Sequence, residues 1–343
     1  MSENLDQMLL EAEKGFPRYV KEYSKRISSS TSKKTNIAYL NDIKTFFEYC
    51  SVSIFNKEIS DITLSDLESI TDIDIYDYLS YLGKYEKTFK NKAGHDVTMI
   101  FTNSESGKSR KLAAIKSLYK KLYDAKMIKN NPTLTVIQST PAYIGIRERL
   151  TKDEVLALEK TVLEGLNIKT DLLEKAYERN KMRDTAIMLI FLYSGIRVSE
   201  LAGLNIDDID ISNSTINIIR KGQKRDKIPY PDVLADYLND YLKFRKNMKD
   251  IHTTALFVSQ FKERITSRSI NNIIKKYAAR ANITKKVTPH TLRRTYLTHL
   301  YNKTKDISTL QRAAGHRNVS TTLKFYASVT EEEYINQLNN FSY

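Results

Sequence analysis

Six residues in the C-terminal half have types and spacing suited to one piece of chemistry. They are Arg197 in SGIRVSEL, Lys221 in RKGQK, His290 and Arg293 in TPHTLRR, His316 in AAGHRN and Tyr326 in LKFYASV. Phosphodiester cleavage develops negative charge on the nonbridging oxygens and on a departing alkoxide. Without a metal, an enzyme must meet that charge with fixed cations and a general acid. Arginine suits the first task, because its planar fork binds phosphate bidentately and stays charged; Arg197 and Arg293 fit it. A lysine serves as point charge and proton donor, and Lys221 falls on an expected hairpin turn. Tyr326 supplies a nucleophile: a phenol, with an ordinary pKa of about 10, attacks well once its phosphate is clamped and a proton acceptor is near. The set describes DNA strand cleavage through a covalent phosphotyrosine.

The local sequence is consistent with these roles. Thr288-Pro289 reads as a helix start, Thr as N-cap and Pro at the first helical position. His290 and Arg293 then lie three apart, on one face and near the positive end of that helix. Gly195 is a helix stop that turns Arg197 out of the core, and Glu200 is close enough to orient it. Lys224 rivals Lys221, since both flank one turn. Tyr326 is one of 22 tyrosines, with Tyr334 and Tyr343 nearby, and His290 also fits a plain helix-terminal histidine. GKS at 107–109 is no phosphate-binding loop, because Thr102 stands where its first Gly is needed.

The elements that must carry these residues fall into two sets. YVKEYSKRI, TSKKTNIAYLNDIKTFFEYC, LSDLESITDIDIYDYLSYLGKY and SGKSRKLAAIKSLYKKLYDAKMI carry apolar residues at helical spacing, and Asn130-Asn131-Pro132 ends the last. Residues 136–150 hold a Pro and a Gly and no apolar stripe, and read as a linker. Thr151 caps a new helix with acidic residues in its first turn. Beyond it, helices near 152–163, 168–194, 231–247, 267–281, 289–303, 306–314, 319–326 and 330–340 surround β-branched strands in DIDISNSTINIIRKGQKRDKIPY. The expected fold is mainly α with a small β-sheet: an all-helical N-terminal domain over 1–135 and a mixed α/β domain over 151–343.

The chain of 343 residues has a formal net charge of +14 and a pI of about 9.4. Such an excess favours nucleic acid as partner, though it also fits an ordinary soluble basic protein. Lys33, Lys34, Asn36, Lys108, Arg110, Lys111 and Lys116 sit among hydroxyl residues on the second and fourth N-terminal helices. Phosphate contacts need that mixture, and so does a plain solvated helix face. Cys50 is the single cysteine, which excludes an internal disulfide and a cysteine-based zinc site. The acidic N-terminus is no signal peptide, and MLIFLYSGI at 188–196 is too short to span a bilayer. A cytoplasmic protein is expected.

SGIRVSEL, RKGQK, HTLRRT, AGHRN and Tyr326 together resemble the tyrosine recombinase (phage integrase) signature of Arg, Lys, His-x-x-Arg, His and Tyr. All six positions match, in order. The likeness spans the C-terminal half and, more loosely, the N-terminal half as a core-binding domain. It implies a C-shaped clamp around double-stranded DNA with inverted half-sites. Tyr326 would form a 3′-phosphotyrosyl link, Arg197 and Arg293 would stabilise the transition state, and Lys221 would protonate the 5′-oxygen. His290 would act as acid/base and His316 would hydrogen-bond the phosphate, with no metal, ATP or other cofactor. Arg294 and Ala327 depart from residues frequent in the family, but neither is one of the six.

No arm-binding domain is expected, since the first core-binding helix starts near residue 17. The chain thus resembles the two-domain Xer type. The charged segment at 167–184 is similar to an extension in the single-protein recombinases of some Gram-positive bacteria, the XerS type. That likeness implies resolution of chromosome dimers at a dif-like site, hence chromosome partition at cell division, and leaves room for an accessory motor protein. A phage or transposon integrase of the same chemistry is the alternative, and a non-catalytic DNA-binding protein a further one. Tyr334, Ile335, Leu338 and Phe341 form an apolar stripe on a last helix. It docks either on a neighbouring protomer of a homotetramer, as in the family, or on its own domain.

Overall fold

The computed structural model describes residues 2–90, 93–137, 148–220 and 224–315. The chain divides into two compact units, Met1–Ile144 and Gly145–Tyr343. It is mainly α-helical with small antiparallel sheets. No helix among the described residues is long and apolar enough to cross a membrane.

In the first unit, hydroxyl side chains set the helix starts. Helices α1 (Ser2–Glu13) and α2 (Arg18–Ser28) are followed by α3 (Lys33–Cys50), α4 (Leu64–Ser69) and α5 (Asp72–Tyr81). Ser32, Thr63 and Thr71 each accept a hydrogen bond from the backbone N–H three residues on, satisfying a donor that a helix start otherwise orphans. The single helix expected over LSDLESITDIDIYDYLSYLGKY is therefore two, because Thr71 and Asp74 close a second capping box in its middle. A further helix, α1, precedes the one expected to come first near residue 17, and packs on α3.

The expectation of an all-helical N-terminal domain is corrected by a hairpin. Strand β1 (Tyr85–Lys90) pairs antiparallel with β2 (Asp96–Phe101), from Tyr85↔Phe101 to Lys90↔Asp96. Aromatic and β-branched residues favour this pairing: Tyr85 stacks on Phe101 at 5.6 Å, and the Thr88 and Thr98 hydroxyls bond at 2.8 Å. Helix α6 (Glu105–Asp124) then returns to α3, burying Leu40, Phe46, Ile115 and Leu118 between them and their neighbours.

The second unit begins at α7 (Lys152–Glu164), where Thr151 and Glu154 form the capping box that the sequence predicts. Helix α8 (Asp171–Ser194) follows. Its consecutive residues Ala186, Ile187, Met188, Leu189, Ile190, Phe191 and Leu192 are all buried, so this helix is covered on every side. Helix α9 (Val198–Gly203) leads into β3 (Ile209–Asp210), β4 (Thr215–Arg220) and β5 (Lys224–Pro229), an antiparallel sheet in that order. Then come α10 (Asp232–Lys246), α11 (Ser267–Arg280), α12 (Pro289–Thr304) and α13 (Ile307–Ala314). Helices α7, α10 and α12 pack against α8. The helices expected at 319–326 and 330–340, and residues 138–147 of the expected linker, lie outside the described residues.

Candidate active site

The site is built where the ends of α8 and α13 meet the start of α12. Gly195 ends α8 with φ of 59°, and an added Cβ would collide with the Tyr296 ring, so only glycine fits that left-handed stop. The reversal sets Arg197 at the N-cap of α9. Its backbone N–H donates to Glu200 Oε2 at 2.9 Å and its Nη1 to Glu200 Oε1 at 2.8 Å. Glu200 is buried, so a desolvated carboxylate holds both the backbone and the guanidinium of Arg197.

Arg293 approaches from α12. Thr288 caps that helix by accepting from Thr291 N–H, with Pro289 in its first turn, as the sequence predicts. The buried Arg293 guanidinium donates to Gly195 O at 2.5 Å and to Ala314 O at 2.6 Å. Arg197 Nη2 also reaches Ala314 O, at 3.2 Å. Two guanidiniums from separate helices thus converge on one carbonyl at the end of α13. Gly315 follows with φ of 55°, and His316 comes next in the chain.

His290 sits one turn ahead of Arg293 and is exposed. Partial burial, then the charges of Arg293, Arg294 and Arg197, hold its imidazole below the usual histidine range. A neutral imidazole beside clustered cations suits an anionic ligand and proton transfer. Arg294 turns elsewhere, donating to Glu148 O at 2.9 Å, and the neighbouring Thr295 hydroxyl accepts from Leu150 N–H at 2.9 Å. Lys221, His316 and Tyr326, like Tyr334 and Tyr343, lie outside the described residues. The rival Lys224 is exposed on β5, directly across from Arg220.

Arg220 was not singled out by sequence reasoning, yet it belongs to this neighbourhood. Its Nε donates to Asp226 Oδ2 at 2.5 Å, and its Nη1 lies 3.6 Å from Glu200 Oε1. The strand period is the signal that marks it: Ile216 and Ile218 face the core, and Arg220 occupies the next position on that face.

The residues expected to grip DNA divide into two groups. Asn36 and Lys111 are corrected, because both are buried. Asn36 shares the inward stripe of Leu40, Ile43 and Phe47, and its amide donates to Ser24 O, Ser24 Oγ and Ser28 Oγ. Lys111 shares a stripe with Ala114, Ile115 and Leu118 and pairs with buried Asp42 at 3.2 Å. Arg110 pairs with the same carboxylate while remaining half-exposed. Lys33 pairs with Asp6 at 2.6 Å, Lys108 with Glu105 at 2.9 Å, and Lys116 donates to Val136 O at 2.7 Å. Lys34 is exposed.

The clustered arginines and this mainly helical unit with its small sheet fit one recognisable class of protein. Residues 148–333 match the phage integrase family, more than half of the chain, and the chain belongs to that family. A tyrosine recombinase XerC of Caldanaerobacter subterraneus is 30% identical, over 94% of this chain and 86% of its own length. A tyrosine recombinase XerS of Streptococcus pyogenes is 29% identical, over 94% of this chain and 95% of its own. Among solved structures, the XerH site-specific recombinase bound to palindromic difH substrate, a post-cleavage complex, superposes with a TM-score of 0.66. It covers 94% of both chains at 16% identity, a likeness of fold.

Proposed function

We propose that this chain is an Xer-type site-specific DNA recombinase that resolves chromosome dimers at a dif-like site. It cleaves and rejoins strands through a 3′-phosphotyrosyl intermediate and a Holliday junction. The observation that carries this reading is the convergence of Arg197 and Arg293 on the Ala314 carbonyl, two residues before His316. Two preorganised guanidiniums aimed at one spot are what a pentacovalent phosphorane demands. Tyr326 attacks phosphorus, and its phenolic proton passes to His290, which partial burial and then the neighbouring arginines hold below the usual histidine range. Lys221 protonates the departing 5′-oxygen, and His316 hydrogen-bonds a nonbridging oxygen. The names XerC and XerS borne by relatives over most of the chain support the Xer assignment.

On this reading the unit ending at Ile144 is the core-binding domain and the one from Gly145 the catalytic domain. Lys33, Lys34, Lys108, Arg110 and Lys116 add positive charge along double-stranded DNA. The segment after Tyr326 docks on a neighbouring protomer of a homotetramer. The test is covalent trapping on nicked suicide DNA bearing a dif-like site, in a chelator, comparing the wild type with Tyr326→Phe. A denaturation-resistant adduct formed only by the wild type is expected. An adduct that persists in the Phe variant would overturn the assignment of Tyr326.

A further inference from the structure

The Arg220 side chain is only 9% exposed, although it is the last residue of β4. A cation in that position is costly unless its surroundings compensate it. Two carboxylates do so. Asp226 lies diagonally across the ladder, since Arg220 pairs with Lys224 and Ile218 with Asp226. Against the cost of burial, the hydrogen bond from Arg220 and the Lys227 backbone N–H hold the Asp226 carboxyl below its usual range. On the other side, Glu200 Oε1 takes Arg197 Nη1 at 2.8 Å and lies 3.6 Å from Arg220 Nη1. The same guanidinium fills the space in front of Gly315, where an added Cβ would run into its Cζ, Nη1 and Nε.

One side chain therefore lies within ion-pair distance of the carboxylate that orients Arg197, bonds Asp226 on β5, and packs against the glycine that precedes His316. We propose that Arg220 is a positioning residue that locks the β4–β5 hairpin to α9 and to the Gly315 turn, so that proton delivery by Lys221 depends on it. This rests on reading Lys221 as the proton donor. In the step concerned, the bond from Tyr326 oxygen to phosphorus forms and the bond from phosphorus to the 5′-oxygen breaks. The phenolic proton goes to His290, and Lys221 gives one proton to the 5′-oxygen. Loss of Arg220 loosens the β4–β5 pair by removing its bond to Asp226 and its charge beside Glu200, whereas the bonds of Arg197 and Arg293 to Ala314 O do not run through Arg220.

The test uses two suicide DNA substrates, one ordinary and one with sulfur as the bridging 5′ atom. A thiol, with an ordinary pKa of about 8.5, leaves without prior protonation. Arg220→Met is expected to slow cleavage of the oxygen substrate roughly 10²-fold, the lower end of what general acid catalysis contributes. It should leave DNA binding unchanged and recover near the wild-type rate on the sulfur substrate. Asp226→Asn, which keeps the volume and removes the charge, carries the same pattern with a smaller loss and serves if the Met variant does not fold. Lys221→Ala is the reference. If sulfur rescues Lys221→Ala but neither of the other variants, or if both cleave the oxygen substrate at the wild-type rate, the positioning role is overturned. If sulfur does not rescue Lys221→Ala, the proton-donor reading falls and takes this inference with it.

Discussion

Glu200→Gln is the sharpest perturbation of the arginine clamp, because it changes one charge and almost no volume. The Glu200 side chain is 4% exposed and accepts twice from Arg197, at the backbone N–H and at Nη1. A glutamine offers one acceptor oxygen and an NH2 group. If the oxygen keeps the cap on α9, the NH2 faces the guanidinium, donor against donor. One charge-assisted hydrogen bond, worth about 1.5–3 kcal/mol net, is lost. Arg197 is 31% exposed, so water recovers part of that loss. The expected cost is about 2 kcal/mol, or roughly 4–8 °C in the melting temperature of a unit of this size. The guanidinium released from Glu200 also loses its aim, and removing one preorganised donor at a developing oxyanion costs about 10²-fold or more in rate. Thermal melting and single-turnover adduct formation on suicide DNA measure both effects. A variant that melts and cleaves like the wild type would refute the claim that Glu200 orients Arg197.

Three further perturbations test other parts of the reasoning. Burial first, and then the charges of Arg293, Arg294 and Arg197, hold the His290 imidazole below its usual pKa of about 6.5, so it stays neutral and cleavage declines only as pH falls below that usual range. Arg294→Gln removes one of those charges, so the acid limb of the pH–rate profile should move to higher pH; an unmoved limb contradicts the electrostatic account. Gly315→Ala forces a side chain into φ of 55° and against Arg220, which should cost about 1–3 kcal/mol or more and lower both melting temperature and adduct yield. Asn36→Ala removes a buried amide whose NH2 donates to Ser24 and Ser28. It should destabilise the first unit by about 2 kcal/mol and leave the salt dependence of DNA binding unchanged. Lys34→Ala should instead lower the salt slope by about one without a change in melting. Reversed behaviour of this pair would restore Asn36 as a DNA contact.

Local chemistry was readable in the linear chain. The Thr288-Pro289 start, the Gly195 stop, the Thr151 capping box and the β-branched strands around RKGQK depend on contacts only a few residues apart, so their signals survive without a partner. The run MLIFLYSGI is apolar all round a helix in the sequence, and its burial in α8 follows from that. Asn36 and Lys111 were misread because a helix face declares its neighbours only when another helix covers it. Both residues carry polar ends that suit solvent, and both turn inward because Ser24 and Asp42 are there to receive them. The β1–β2 hairpin was missed because its register comes from cross-strand pairs, chiefly Tyr85 on Phe101, rather than from an obvious turn.

The sequence by itself determined the candidates proposed for the reaction, two arginines, a lysine, two histidines and a tyrosine, and their order along the chain. Only the tertiary structure decided that Arg197 and Arg293 share a single carbonyl, and that Arg220 ties Glu200, Asp226 and Gly315 together. Residue types and helix caps are properties of short segments. A shared acceptor between groups nearly a hundred residues apart exists only once α12 packs on α8 and α13 packs on α12, bringing the ends of α8 and α13 to one place.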